Sequence, residues 1–179
     1  VRIVFIRGDG PSFCAGADID WMKRSAALTD IDNETDALAL ARMLKHLHDL
    51  PQLTVAIVQG AAMGGGAGLV AACDMAIALG DAKFRFSEVR LGLTPATISP
   101  YVVEAVGARW AKALFATAEG FDGIFAEKIG LVQYAVEDMP AAQRLMEHLT
   151  DLTKAAAPGA VSDAKTLVRF VAGHKIDDA

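Results

Sequence analysis

Residues 51–74 read PQLTVAIVQGAAMGGGAGLVAACD, and this stretch decides the fold. It contains no charged side chain before Asp74, and its length would match a membrane span. It also contains five glycines, which would break a helix that has to satisfy its backbone in lipid. The stretch therefore predicts a buried strand over Leu53–Val58, a glycine loop over residues 60–65 and a short buried helix over residues 66–72.

The composition of the whole chain narrows the class of protein. The 179 residues carry a net charge of −5, and 53% of them are hydrophobic. This hydrophobicity excludes a disordered chain, and there is no basic stripe that could hold nucleic acid by its phosphates. Cys14 and Cys73 lie far apart and match no metal-binding pattern. They indicate a reducing compartment, and neither a disulfide scaffold nor a zinc module.

Outward from the glycine loop, predicted strands alternate with predicted helices, which favours an α/β fold. Further strands are predicted at residues 1–6, 75–79, 83–86 and 131–136. Helices are predicted at residues 19–27, 34–50, 101–106, 108–117, 124–129, 141–156 and 160–172.

Two loops place small residues directly before predicted helices. They are CAGAD at residues 14–18 and AMGGG at residues 62–66. The first N–H groups of a helix have no acceptor within the helix and carry a partial positive charge. Such groups suit an anion or a developing oxyanion, and small side chains let a ligand approach them. Each loop could therefore supply one N–H group to a common site.

Glu88 is a candidate general acid or base, since it lies in the mostly apolar segment FSEVRLG at residues 86–92. Apolar neighbours would desolvate the carboxylate and raise its pKa toward the range used in proton transfer. The alternative is an exposed glutamate paired with Arg90, and composition alone favours that alternative.

A dinucleotide-binding site is a weaker alternative. Residues 66–71 fit the pattern G-x-G-x-x-A, and Glu88 follows about twenty positions later. However, the predicted helix is too short for a crossover, and residues 59–63 separate the strand from the first glycine. A nicotinamide-dependent oxidoreductase is therefore disfavoured.

Taken in this order, these segments resemble the crotonase (enoyl-CoA hydratase/isomerase) superfamily. Three stretches carry the resemblance: FCAGADI at residues 13–19, residues 51–74, and FSEVRLG at residues 86–92. Shorter matches lie at residues 105–107 and 129–132. The resemblance implies a crotonase-like α/β fold, a spiral of ββα units followed by C-terminal helices.

The resemblance covers residues 1–136, which would form the crotonase core. Members of the superfamily begin with a further strand and helix and end with a further helix. Because residue 1 is not methionine, we expect the core to lack its N-terminal strand and helix. We also expect the C-terminal helical region, residues 137–179, to be truncated.

The resemblance assigns catalytic roles to three residues. The N–H groups of Ala17 and Gly65 would form the oxyanion hole that polarises the thioester carbonyl. Glu88 would be a catalytic carboxylate.

Further residues would bind the CoA thioester. Backbone atoms of Ala15, Asp18 and Ile19 would line the adenine side, and Gly64 would belong to the thioester loop. Arg90 is the candidate partner for an acyl carboxylate, with an exposed arginine as the alternative. CoA is part of the substrate, and no other cofactor or metal is expected, because His46 and His48 face different directions on a helix.

One position departs from the superfamily pattern. Hydratases with two catalytic glutamates have the second one two residues after the third glycine, where this chain has Gly68. A single carboxylate could still direct hydration, or it could shuttle a proton between two carbons as in the isomerases. A second acid could instead come from elsewhere, and the candidates are Glu104, Glu119 and Asp122. A weakened acyl-CoA-binding homologue is the non-enzymatic alternative.

Two further segments resemble the methylglutaconyl-CoA hydratase branch. They are ADIDWM at residues 17–22 and LTPATISPY at residues 93–101. The resemblance implies water addition to the 2,3-double bond of an enoyl-CoA thioester, with 3-methylglutaconyl-CoA as the candidate substrate. It also implies a homotrimer or dimer of trimers, in bacterial cytoplasm or a mitochondrial matrix.

Overall fold

The computed structural model describes residues 1–18 and 29–172. In chain order the strands are β1 (Ile3–Arg7), β2 (Leu53–Val58), β3 (Ala61–Met63), β4 (Met75–Leu79), β5 (Lys83–Arg85), β6 (Phe121–Asp122) and β7 (Tyr134–Val136). The helices are α1 (Asp30–His48), α2 (Gly65–Ala72), α3 (Ser99–Thr117), α4 (Gly123–Lys128), α5 (Met139–Ala155) and α6 (Pro158–Ala172). A short 3-10 helix covers Glu88–Leu91.

The strands form two sheets. The larger sheet is parallel and has the order β1-β2-β4-β7. The smaller sheet has the order β3-β5-β6, with β3 parallel and β6 antiparallel to β5. The predicted α/β class is therefore confirmed.

A strand–strand–helix unit repeats along the chain. In the units β2-β3-α2 and β4-β5-α3, the first strand joins the larger sheet and the second joins the smaller one. The first unit is similar, because β1 joins the larger sheet and Cys14 then pairs with Ala62 of β3 before α1 begins. This repetition is the predicted spiral of ββα units, and it is followed by the helices α5 and α6.

The uncharged stretch is buried, as its composition predicts. Val55, Ala56, Ile57 and Val58 of β2 are each at most 1% exposed. None of the helices within the described parts of the chain is long and apolar enough to cross a membrane.

Two details of the predicted elements differ from the structure or lie outside it. The predicted loop at residues 60–65 contains strand β3, whose length of three residues is too short to show a periodicity. The helix predicted at residues 19–27 lies outside the described residues. By contrast, the predicted break between two helices is present inside α3, at Gly107 with φ +74°.

Lys165 anchors α6 to the core. Its ammonium group donates to the Asp74 carboxylate at 2.6 Å and to the carbonyl oxygens of Leu50 and Gln52 at 2.6 and 2.7 Å. The same Asp74 oxygen accepts from the backbone N–H of Thr54 at 2.7 Å and from its hydroxyl at 2.8 Å. The Lys165 side chain is 11% exposed, so this ion pair is largely desolvated. If α6 moved away from the core, both buried charges would lose their partner. The ion pair therefore holds α6 in place.

We expect Lys165→Met to lower the free energy of unfolding by about 2 kcal/mol, because the substitution leaves the Asp74 carboxylate without its cation. Urea denaturation at fixed protein concentration measures this loss. The control is Lys154→Met, since Lys154 forms an exposed pair with Asp151 at 3.7 Å and should change stability by less than about 1 kcal/mol. Equal losses in the two variants would contradict the anchoring role.

Candidate active site

Three chain segments leave the smaller sheet at the same edge. Ala62 of β3 lies between Cys14 and Phe84 of β5, and both pairings are parallel. Just beyond β3, the N–H group of Gly64 donates to the carbonyl of Arg85 at 2.8 Å. Because the carboxyl ends of parallel strands meet at one edge, the segments that follow them converge there. These are the three segments that the sequence singles out.

The turn between β3 and α2 offers a backbone donor. Gly64 has φ +52° and ψ −120°, a conformation that favours glycine. Gly65 is the first residue of α2, so its N–H group has no acceptor within the helix. A β-carbon built on Gly65 would meet no described atom within 4 Å. The space on the side of Gly65 where a side chain would project is therefore open.

The loop containing Ala17 is held against the start of α2. A β-carbon on Gly66 would lie 2.7 Å from Cβ and 2.9 Å from Sγ of Cys14, so only glycine permits this approach. One residue before Ala17, Gly16 has φ +110°, and a β-carbon on it would lie 3.8 Å from Cβ of Met63. The two predicted oxyanion-hole segments are thus neighbours.

Residues around Ala17 are open to solvent. Ala15, Ala17 and Asp18 are exposed, which leaves this loop accessible to a large ligand. Ile19, the other residue predicted to line the adenine side, lies outside the described residues.

The Glu88 side chain reaches the Gly64 turn. Its Oε1 atom lies 3.3 Å from the position that a β-carbon would occupy on Gly64. Its Oε2 atom is buried and has no hydrogen-bond partner among the described residues. Burial raises the pKa of Glu88, and a hydrogen bond from its own backbone opposes this effect more weakly. A half-buried carboxylate with a raised pKa is suited to take up and release a proton.

Arg90 does not neutralise Glu88. Within the described parts of the chain its side chain is exposed and forms no ion pair with a carboxylate. Residues two positions apart on a 3-10 helix point in different directions, which agrees with this separation. The exposed ion pair that composition favours is therefore absent between these two residues, and Arg90 is available to a ligand.

Ile98 is a site residue that the sequence does not reveal. A β-carbon on Gly68 would overlap the Ile98 side chain, lying 2.7 Å from its Cβ. Ile98 is 1% exposed and precedes the first turn of α3. The glycine itself signals that something large packs there, but thirty positions of sequence separate the two residues. Only the folded chain identifies the partner.

The alternative acids have other roles in the fold. Glu104 lies 3.8 Å from the imidazole of His48 on α1. Asp122 caps α4 by accepting the N–H group of Phe125 at 2.9 Å. Glu119 is exposed after the end of α3. Asp122 therefore stabilises the start of α4, and Glu104 lies beside the end of α1.

The described residues form no cluster suited to a metal ion, and the Cys73 thiol is not suited to act as a nucleophile. Across residues 1–18 and 29–172, no group of three His, Cys, Asp or Glu side chains could hold a metal ion. Burial raises the pKa of the Cys73 thiol to about 12, so this group stays protonated at neutral pH.

Comparison with known proteins gives the family of the chain. Residues 1–171 match the family described as enoyl-CoA hydratase/isomerase. A Legionella pneumophila protein assigned to the enoyl-CoA hydratases/isomerases (crotonases) is 46% identical, with a TM-score of 0.93 over 99% of this chain and 68% of its own.

Two curated relatives extend the comparison. A Thermus thermophilus protein assigned as an enoyl-CoA hydratase is 32% identical over 178 residues, which cover 99% of this chain and 70% of the relative. The human mitochondrial methylglutaconyl-CoA hydratase is 29% identical over 160 residues, covering 88% of this chain and 46% of the human protein. With its fold and its converging loops, the chain belongs to the enoyl-CoA hydratase/isomerase family, the crotonase superfamily that its sequence resembles.

Proposed function

We propose that this protein adds water across the 2,3-double bond of an enoyl-CoA thioester. The observation that carries the proposal is the approach of the Glu88 carboxylate to the turn that precedes the Gly65 donor. The approach supports a site in which a proton-transfer group and a backbone N–H group act on the same thioester. That is the minimum that conjugate addition to a thioester requires.

In the proposed reaction, the N–H groups of Ala17 and Gly65 bind the thioester carbonyl oxygen. As water attacks C3 of the acyl chain, electrons move toward this oxygen and an enolate forms. Removing either N–H donor would destabilise the enolate-like transition state by about 3 kcal/mol. Glu88 takes a proton from the attacking water and returns one proton to C2, so the product contains one added water.

The candidate substrate is a 3-methylglutaconyl-type thioester, which carries a second carboxylate on the acyl group. The name of the human relative and the sequence resemblance to its branch support this choice. An acyl carboxylate calls for a cation, and Arg90 is exposed and forms no ion pair with the described carboxylates.

If Arg90 contacts this carboxylate, Arg90→Ala should lower kcat/KM for 3-methylglutaconyl-CoA at least about threefold relative to crotonyl-CoA. Steady-state kinetics on both thioesters measure the ratio. Arg109→Ala is the matched control, because Arg109 is an exposed arginine of α3. An unchanged ratio in Arg90→Ala would remove this residue from substrate recognition.

Double-bond isomerisation is the second candidate function. The observation that favours it is Gly68, whose packing against Ile98 leaves no room for a second carboxylate at that position. In this case Glu88 would move a proton between two carbons of a 3-enoyl thioester without adding water.

One assay on the full-length protein separates the candidates. The protein is incubated with 3-methylglutaconyl-CoA, crotonyl-CoA and a 3-enoyl-CoA, and the absorbance of the conjugated thioester is followed. Loss of absorbance with either conjugated substrate supports hydration, whereas a gain with the 3-enoyl substrate alone supports isomerisation. Binding without turnover of any substrate would overturn both and support an acyl-CoA-binding protein.

The assembly and location of the protein belong to the same proposal. We propose a homotrimer or a dimer of trimers, with CoA as part of the substrate and no other cofactor or metal. Three apolar side chains of α6 are more than half exposed, which supports a subunit contact made by the C-terminal region, residues 137–179: Leu167, Val168 and Val171. The core, residues 1–136, would carry the chemistry, in bacterial cytoplasm or in a mitochondrial matrix.

A further inference from the structure

An open cleft of about 410 Å³ lies against the smaller sheet. It is lined by residues of β3, β5 and β6 and by the residue before β6, among them Met63, Lys83, Arg85, Gly120 and Asp122. A cleft of this volume is within the range of sites that bind small organic ligands. The cleft is not part of the candidate active site, and the reaction proposed above makes no use of it.

Strand β5 directs two cations to the cleft. Alternate side chains of a strand point to opposite faces, and Phe84 is 0% exposed in the core, so Lys83 and Arg85 project from the other face. Lys83 lies opposite Asp122 of β6, the one carboxylate among the described lining residues. One oxygen of Asp122 accepts the N–H group of Phe125 at 2.9 Å, and neither cation forms an ion pair with a described carboxylate. The cleft therefore has an excess of positive charge.

The Arg85 guanidinium is half-buried and lacks an acceptor. Its Nε atom is buried, without a hydrogen-bond partner among the described residues. A β-carbon on Gly120 would lie 2.9 Å from Nη2 and 3.3 Å from Nε, so the glycine makes room for the guanidinium. Buried donors in proteins are nearly always paired, so an unpaired one calls for an explanation. A partly desolvated cation also attracts an anion more strongly, because water competes with it less.

We propose that this cleft is a second binding site, which takes a small organic anion whose carboxylate or phosphate group is held by Arg85 and Lys83. The planar donors of a guanidinium match two oxygens of either group, and the ammonium group adds a second positive charge. An inorganic ion would leave most of the cleft empty, so the ligand has an organic body. Met63 lines the cleft, whereas Gly65 and Glu88 do not, so the anion binds beside the candidate active site and not in it.

Calorimetric titration of the full-length protein at low ionic strength tests the site. The probes are glutarate, butyl phosphate and inorganic phosphate, each added with and without saturating butyryl-CoA. We expect glutarate or butyl phosphate to bind once per chain in both conditions, and the tighter of the two distinguishes a carboxylate site from a phosphate site. Arg85→Met should raise its Kd at least about tenfold, the usual scale for a lost hydrogen bond to a charged group. Arg109→Met, which removes an exposed arginine of α3, is the matched control and should keep the wild-type Kd.

A second variant should change the affinity in the opposite direction. Asp122→Asn removes the negative charge from the cleft, and asparagine caps a helix as well as aspartate does, so the start of α4 is kept. We expect Kd to fall at least about threefold in this variant.

Several results would overturn the proposal. They are no saturable binding in the millimolar range, an unchanged Kd in Arg85→Met or in Asp122→Asn, and displacement of the anion by butyryl-CoA, which would place it in the substrate site. Inorganic phosphate that binds as tightly as both organic anions would show an adventitious ion only. Arg85→Gln replaces Arg85→Met if circular dichroism shows that the methionine variant does not fold. Binding is measured without turnover, so the site is tested independently of enoyl-CoA hydration.

Discussion

Replacing Glu88 by glutamine is expected to lower kcat for hydration at least about a hundredfold, because the amide cannot take a proton from water. Glutamine keeps the size of the side chain beside Gly64, so KM should change little. Steady-state kinetics on the preferred enoyl-CoA thioester measure both constants. Glu147→Gln is the matched control, since Glu147 is exposed on α5 and should leave kcat unchanged. A Glu88→Gln variant with a kcat close to the wild-type value would contradict the role of Glu88.

Thermal unfolding separates a catalytic loss from a folding defect in the same variant. Burial raises the pKa of Glu88 in the folded protein, so the folded state binds this proton more tightly than the unfolded state. The contribution of Glu88 to stability is therefore full below its unfolded pKa and is lost as pH rises through the raised pKa. Glutamine stays neutral, so Tm at pH 7 should be equal to or above that of the wild type. A lower Tm would show that the carboxylate has an unseen structural partner.

Gly65→Pro is expected to lower kcat by about a hundredfold to a thousandfold, the loss that follows removal of one oxyanion-hole donor. Proline lacks the N–H group and is well accepted at the first position of a helix, which Gly65 occupies in α2. The β-carbon has open space, since no described atom lies within 4 Å of its position. The substitution therefore removes the donor while the helix can still form.

Gly65→Ala is the control for this experiment. It adds the same β-carbon and keeps the N–H group, so it should affect KM more than kcat. Circular dichroism and Tm confirm that both variants fold. If proline and alanine lower kcat to the same extent, the loss comes from crowding, and the N–H group of Gly65 is not an oxyanion donor.

Much of the fold follows from the sequence because it depends on local patterns. The uncharged stretch at residues 51–74 has too many glycines for a membrane helix, which leaves a buried strand, a turn and a buried helix. Gly107 interrupts an otherwise continuous helical pattern, and the chain there has a positive φ. Strand β3 illustrates the limit, because its three residues lie between glycines and pair with residues that are distant in the chain, those of β5 and Cys14.

The environment of the candidate site depends on contacts between distant residues, so less of it is predictable. Composition favours an exposed ion pair between Glu88 and Arg90. In the fold, however, one oxygen of the Glu88 carboxylate lies beside Gly64 and the other is buried. Similarly, Gly68 shows only that a side chain is missing. The side chain that fills the space beside Gly68 belongs to Ile98, and it is identified only when α2 and the start of α3 pack together.

The central claim is that one carboxylate and the Gly64–Gly65 turn add water to an enoyl-CoA thioester. It is tested most directly by incubating the full-length protein with 3-methylglutaconyl-CoA, crotonyl-CoA and a 3-enoyl-CoA in water enriched in oxygen-18. Mass spectrometry then identifies the products and measures their oxygen-18 content. Hydration predicts a 3-hydroxyacyl-CoA that contains one oxygen-18 atom, formed at a strongly reduced rate by Glu88→Gln. A product with a shifted double bond and no oxygen-18 would contradict the claim.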